Sequence, residues 1–355
     1  MLSSADNKGN HRISSHRENN SVGSHWCSLH PPQQSHYAVL TAEPSATVSL
    51  DNRGLAYADG FFTTMAIRDG EILWVDYHWQ RLDSHAKALQ LDIPKQSLLA
   101  DLRAHAQRLE SGMMKVVVTR AVQAIRGYGF SADSAGSACE IWLKTMATAS
   151  QTLNDNITNQ AIIQNDKVLL PDGRPIVRQT PTRAVCLNSQ LACLPPTLAG
   201  LKTLNRLDNV LASGELQALK NHQENVLTDT ALIVEGLVRD MGGSWVEGTM
   251  SNVFYQLSEV KDSATAKQDS TIGHEADYFS KGQWYTPPMM QSGVAGVMRQ
   301  VIIDGLANSN TPVILRPLST EDLPHLSPMF FCNAVRGVMP VSALTLLSGE
   351  VVELG

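Results

Sequence analysis

A single lysine interrupts the stretch from Leu198 to Leu211, where Leu198, Leu201, Leu204, Leu207 and Leu211 recur at helix-like intervals and predict a stripe turned inward. An ammonium group in such surroundings costs free energy unless it is paired, neutralised or chemically used. Two readings follow for Lys202. It is a helix-edge lysine whose stem lies on the core while its charge reaches water, or it is an amine whose pKa is lowered by burial, the kind that forms Schiff bases with carbonyl groups.

Either reading needs a substantial core, and the chain can supply one. Its 355 residues exceed the usual single-domain size and predict two domains, with 43% hydrophobic residues to fill them. A net charge of −6 and a pI near 6.0 argue against a nucleic-acid or anionic-membrane surface. No apolar run approaches the roughly 20 residues of a membrane-spanning helix. The five cysteines are odd in number and never spaced as CxxC. That usage fits a reducing cytoplasm and speaks against a disulfide framework or a structural metal.

Residues 1–38 are rich in Ser, His, Asn and Gln and bury too little apolar surface to offset ordering entropy, so a disordered extension is expected there. Its histidines have no regular ligand spacing. Ordered structure is expected from Val48 to Gly54 as a short strand and turn. Phe61–Ile67 and Ile72–Val75 then flank Asp69-Gly70, a strong hairpin signal. Asp76 is positioned to cap a helix to about Leu89, buried through Trp79, Leu82, Ala86 and Leu89. Pro94 opens a second helix that ends near Gly112, and strands follow at Lys115–Thr119 and Ile141–Thr145. Residues 149–182 read as an interdomain linker with an insertion. Beyond it, strands are expected at Ala184–Leu187, Ala231–Val234 and Asn252–Leu257, with an amphipathic helix over Gly296–Leu306. The polar stretch 259–281 reads as an exposed insertion.

Anion-binding parts are scattered. Arg81 stands beside the apolar face of its helix, where a guanidinium can grip a phosphate through two bonds. Val297 and Met298 open a helix whose unpaired N–H groups favour an anion, and Asn333-Ala334 follows a strand and can add another. Each is also readable as an ordinary solvated arginine or a self-capped helix. Glu247 lies just before an alternating strand, where a solvent-facing glutamate is the common case.

Taken together, six segments resemble the fold-type IV pyridoxal-phosphate enzymes over roughly residues 46 to 345. They are Asp51–Gly54 through Ala58–Thr64, His78-x-x-Arg81-Leu82, Arg126-Gly127-Tyr128-Gly129, Gly200-Leu201-Lys202-x-Leu204-Asn205-Arg206-Leu207, Val246-Glu247 with Ser251-Asn252-Val253-Phe254, and Gly293–Arg299 with Cys332-Asn333-Ala334. The resemblance implies an α/β (α+β) protein of two domains. A small two-layer domain would span 39–148, and a larger strand-rich pseudo-barrel over 183–355 would carry the cofactor lysine. It implies pyridoxal 5'-phosphate as cofactor and a homodimer that completes each site. Residue by residue, it implies Lys202 as the Schiff-base lysine and Glu247 as partner of the pyridine nitrogen. Arg81, Arg206, Val297, Met298, Asn333 and Ala334 would surround the cofactor. The interval from Lys202 to Glu247 is about ten residues longer than the family pattern, and the surplus is expected in an extended hairpin loop between Gly236 and Trp245.

Within the family, Asp59–Thr64, Asn205–Leu207 and Arg126–Gly129 resemble the aminodeoxychorismate lyases more than the branched-chain or D-amino-acid transaminases, which remain the alternative. The lyase resemblance implies a small-molecule substrate, 4-amino-4-deoxychorismate, supplied by aminodeoxychorismate synthase for folate biosynthesis. Its products would be 4-aminobenzoate and pyruvate. Thr64, Arg126, Tyr128 and Arg336 are the candidate substrate contacts, the arginines because this substrate carries two carboxylates.

Overall fold

A computed structural model describes residues 25–29, 48–147, 166–226, 233–258 and 278–354. Asp69 and Gly70 both take positive φ, which makes the tight turn joining β2 (Gly60–Arg68) to β3 (Glu71–Ile72). The first sheet has the order β1-β5-β4-β2-β3, with β1 at His25–Ser28, β4 at Gly112–Arg120 and β5 at Cys139–Ala147. All its pairings are antiparallel. Alternation sends Phe61, Met65, Met114, Val116, Val118, Ile141 and Leu143 to one face. There they meet α2 (Val75–Ala88) and α3 (Lys95–Leu109) through Leu82, Ala86, Leu98, Leu102 and Ala106. The opposite face carries Phe62, Thr64, Lys115, Val117, Trp142 and Lys144.

Several local expectations change here. His25–Ser28 does not belong to a disordered tail: it pairs with Trp142–Thr145, an edge that would otherwise expose unpaired backbone groups. Asn52 ends no strand. It caps the short α1 (Arg53–Tyr57), accepting from the Leu55 N–H. Asp76 is not the cap of α2, because Trp74 holds that place; Asp76 lies in the first turn, where its charge complements the helix dipole. A short turn of helix, α4 (Ser134–Ser137), precedes β5.

The second sheet has eleven strands. Its main path is β13-β12-β11-β10-β9-β8-β15-β7-β6, with β14 joining β11 to β15 and β16 flanking β15. In chain order these are β6 (Asp166–Leu169), β7 (Pro175–Arg178), β8 (Thr182–Leu191), β9 (Ile233–Asp240), β10 (Trp245–Gly248) and β11 (Asn252–Leu257). They continue as β12 (Tyr285–Thr286), β13 (Ile314–Leu315), β14 (Leu326–Asn333), β15 (Gly337–Thr345) and β16 (Val351–Glu353). The β14 links close the strands upon themselves in a barrel-like way, so that α5 (Leu207–Val226) packs on β8 and β9 and α6 (Val297–Leu306) on β14. The protein is thus a mixed α/β molecule with one small sheet and one large.

Linker and loop lengths read differently in space. Residues 166–178 are not linker but the β6–β7 hairpin, paired with β15 through Arg178 and Val338. The expected long loop between Gly236 and Trp245 is instead the end of β9 and a tight turn, in which Asp240 accepts from the Gly243 and Ser244 N–H groups. The expected insertion lies largely outside the described residues; Tyr278 and Phe279 at its end pack on Phe330 in the core.

Candidate active site

The Lys202 segment is not a helix. Gly200, at φ +75°, turns the chain, and residues 201–204 run along the end of β2. The Lys202 carbonyl accepts from the Phe62 N–H at 3.0 Å, and Leu204 N–H donates to Gly60 O at 3.0 Å. Lys202 N–H donates to His85 Nε2 at 2.8 Å, so that this ring nitrogen is the unprotonated one. The inward stripe therefore breaks after Leu204, which packs on the Gly54 and Gly60 backbone. Leu207 and Leu211 face outward at 72% and 70% exposure, because α5 begins only at Leu207 and starts a new phase.

The Lys202 side chain ends over the Phe62 ring, its Nζ 4.6 Å from the centroid. Burial, then the positive charge of Arg81, holds its pKa below that of a free lysine, and the negative charge of Glu247 pulls the other way. Such an amine is more readily neutral near physiological pH, as nucleophilic and basic lysines must be. The solvated helix-edge alternative does not fit this arrangement.

Glu247 is buried in β10, directly opposite Asn252 of β11. Its Oε2 accepts from Val294 N–H at 2.9 Å and Asn252 Nδ2 at 3.2 Å. Burial pushes its pKa up, countered by the Val294 hydrogen bond and by the charges of Arg206 and Lys202. Asn252 also donates to Val294 O, and its Oδ1 lies so close to Gly296 that any Cβ there would collide with it. One cross-strand pair thus fixes both the acid and the chain entering α6.

Arg81 lies on the buried face of α2 with His78 and His85. Its Nη2 donates to Ala295 O at 2.7 Å, immediately before the first turn of α6. Gly296 caps that helix without a side chain, so the Val297 and Met298 N–H groups have no side-chain cap. Arg206 donates to Leu201 O, while its Nε is buried without a partner among the described residues. Asn333 ends β14 and accepts from the Val335 and Arg336 N–H groups through Oδ1; Ala334 packs beside α6.

Four charged groups, Lys202, Arg81, Arg206 and Glu247, therefore influence one another in one interior region. The substrate-contact candidates divide. Thr64 stands on the Phe62 face, cross-strand from Lys115. Arg126, Tyr128 and Arg336 are exposed, and no hydrogen bond joins their side chains to this cluster among the described residues. Tyr128 instead meets Tyr57 edge-on, and its carbonyl is held by Arg53.

Sequence reasoning missed His85, Asn209 and Glu235. His85 was findable, four residues after Arg81 on the same helical face. Asn209, in the first turn of α5, lies near enough to Glu247 to favour its charged form. Glu235 accepts from Thr249 N–H, Thr249 Oγ1 and Ser251 Oγ, and so braces the turn between Glu247 and Asn252 from the neighbouring strand β9. No local pattern marks it.

Residues 60–344 match the amino-transferase class IV family, and the chain belongs to that family. An aminodeoxychorismate lyase from Vibrio harveyi is 24% identical over 303 residues, covering 85% of this chain and 89% of the relative. A putative branched-chain-amino-acid aminotransferase from Methanocaldococcus jannaschii is 25% identical over 305 residues, covering 84% and 83%. Among solved structures, a 4-amino-4-deoxychorismate lyase from Pseudomonas aeruginosa aligns with TM-score 0.63 and 27% identity, covering 88% of this chain and 92% of the other. The protein is accordingly a pyridoxal-phosphate-dependent enzyme of fold type IV. Its interior fits that cofactor: an unpartnered guanidinium nitrogen, uncapped helix amides and three cations against one carboxylate leave room for a dianion.

Proposed function

We propose that this enzyme is an aminodeoxychorismate lyase, converting 4-amino-4-deoxychorismate to 4-aminobenzoate and pyruvate in folate biosynthesis. The observation that carries the choice is likeness over nearly the whole chain to a lyase structure at 27% identity, against 18% for solved transaminases such as those from Curtobacterium pusillum and Thermoproteus uzoniensis. A branched-chain or D-amino-acid aminotransferase is the second reading, favoured by the Methanocaldococcus jannaschii relative, which at 25% identity matches this chain as well as the Vibrio harveyi lyase does at 24%.

In this reading Lys202 would be the residue that holds the cofactor covalently and the base at the amine-bearing carbon of the substrate. Arg81, the Val297 and Met298 amides, Asn333 and Ala334 would hold the phosphate, and Arg206 would lie beside the bound cofactor. Glu247 would keep the pyridine nitrogen protonated. The cofactor supplies an electrophilic aldehyde carbon and a ring that accepts electrons. His85 and Phe62 fix the Lys202 backbone from either side, so that the amine meets the substrate without searching for its position. Loss of the proton and of the enolpyruvyl group leaves an aromatic ring, which drives the reaction forward.

We also carry forward the homodimer and the cytoplasmic location. The outward apolar residues Leu207, Val210 and Leu211 offer a surface for a second copy to cover. The test is direct. Purified holoenzyme is incubated with 4-amino-4-deoxychorismate, and separately with D-alanine or leucine plus a keto acid, and products are identified by chromatography. Equal amounts of 4-aminobenzoate and pyruvate support the lyase. Amino transfer without 4-aminobenzoate overturns it in favour of the transaminase.

A further inference from the structure

Lys115 and Lys144 are direct cross-strand neighbours in β4 and β5. Like charges placed opposite one another destabilise a sheet. Neither lysine takes part in an ion pair among the described residues. Each ammonium lies near an aromatic ring instead: Lys115 Nζ is 4.5 Å from the Phe62 centroid, and Lys144 Nζ is 5.7 Å from that of Trp26. Both lysines are half-buried, on the sheet face opposite the helices.

Phe62 connects this pair to the candidate active site. The same ring lies 4.6 Å from Lys202 Nζ, so Lys115 and Lys202 approach one ring and can be no further apart than the two ring distances combined. Burial, then the charge of Lys144, lowers the Lys115 pKa, as expected for two cations sharing a poorly hydrated spot. Thr64, cross-strand from Lys115, adds a hydroxyl beside it. A repulsive, half-buried cation pair beside a reactive amine is poorly explained as solvated surface charge and well explained as a receptor for an anion.

We propose that Lys115 and Lys144 form the platform that receives the carboxylate lying remote from the substrate's amine. This rests on the lyase reading above. A substrate whose amine must reach Lys202 brings a carboxylate on the far side of its ring toward Lys115, across the Phe62 face. A simple α-amino acid carries its carboxylate next to the amine and gains little from that platform. The pair is therefore a specificity determinant for amines with a distant anionic group.

The probe is chorismate, which keeps both carboxylates but has a hydroxyl in place of the reacting amine. Its dissociation constant is measured by calorimetry on holoenzyme for wild type, Lys115→Met, Lys144→Met, the double variant and Lys115→Arg, with melting temperatures to show that each is folded. Each Met variant should bind at least fivefold more weakly and the double variant more weakly still, with Lys115→Arg retaining most of the affinity. For turnover, the KM for 4-amino-4-deoxychorismate should rise in the Met variants far more than kcat falls. Wild-type affinity for chorismate in the folded double variant overturns the platform while leaving the lyase reading intact. Failure of wild-type enzyme to form 4-aminobenzoate removes the lyase reading and the platform with it.

Discussion

Arg81→Ala offers a sharp separation of cofactor anchoring from fold. A guanidinium has five N–H donors, and among the described residues the Arg81 side chain has one acceptor, Ala295 O at 2.7 Å. Burial lowers its pKa to about 10, partly offset by the charge of Glu247, so it stays protonated at neutral pH. Its remaining donors are satisfied best by an anion. A hydrogen bond involving a charged group contributes about 1.5–3 kcal/mol. Losing one such bond weakens cofactor binding roughly ten- to hundredfold, since about 1.4 kcal/mol is a decade. At a cofactor concentration about 100 times the wild-type Kd, bound cofactor stabilises the wild type by about 2.7 kcal/mol; a tenfold weaker variant keeps about 1.4 kcal/mol. The apo-protein should lose much less, because removing a poorly partnered buried charge offsets the lost bond to Ala295. Arg81→Lys should recover only part of the affinity, having a point charge without the planar fork. Titration of apo-enzyme with pyridoxal phosphate, followed by absorbance, reads the dissociation constants, and thermal melts with and without cofactor read the linkage. Equal dissociation constants for wild type and Arg81→Ala would refute the anchoring role.

Other perturbations probe the neighbouring groups. Lys202→Ala should abolish turnover and the absorbance band of the covalently attached cofactor; a band that persists on another lysine contradicts the assignment. Glu247→Gln should keep the cofactor but lower kcat at least tenfold, because an amide cannot stabilise a protonated ring nitrogen as a carboxylate does; unchanged kcat with full cofactor occupancy rules out Glu247 as the ring partner. Burial, then the charge of Arg81, lowers the pKa of both His78 and His85 to about 3 from an ordinary 6.5. Between those values the unfolded chain binds protons that the folded chain does not. Stability is therefore complete above about pH 6.5 and falls as pH drops, by up to about 1.4 kcal/mol per pH unit for each histidine. Melts from pH 7 to pH 5 should slope less steeply in His78→Gln than in wild type, and equal slopes would count against a neutral buried His78.

What the sequence disclosed was chemistry more than shape. Lys202 was legible as a charged residue in an apolar stripe and Arg81 as a guanidinium beside an apolar helix face, whereas Glu247 stood out only through the resemblance of its segment to the family; the structure brings all three into one interior region. The helix assigned around Lys202 failed because leucine spacing cannot distinguish a helix from an extended segment that a glycine turns and a neighbouring strand holds. Gly200 was visible, but the Gly60–Phe62 backbone that captures the segment lies some 140 residues earlier in the chain. The β6–β7 hairpin and His25–Ser28 were overlooked for the same reason, since short strands depend on edges supplied by β15 and β5. Glu235 is the clearest case: its carboxylate braces the Gly248–Ser251 turn through bonds that no local pattern encodes.

The placement of Lys202 explains why the two sheets must act as one unit. The residue belongs by sequence to the larger half, yet its N–H donates to His85 on α2 and its carbonyl accepts from Phe62 on β2, both in the smaller half. On the other side, the Gly200 carbonyl accepts from Ala295 N–H, and Ala295 O is the acceptor of Arg81. Arg81 and His85 are one helical turn apart, so α2 holds the lysine segment at one point and the entrance to α6 at another. Glu247 completes the circuit through Val294 N–H, one residue from Ala295. A shift of the small sheet against the large one would therefore displace the amine, the helix amides and the acid together. Positioning of this kind is most effective when held within about 0.5 Å, and a closed ring of backbone and side-chain hydrogen bonds is a physical means of holding it.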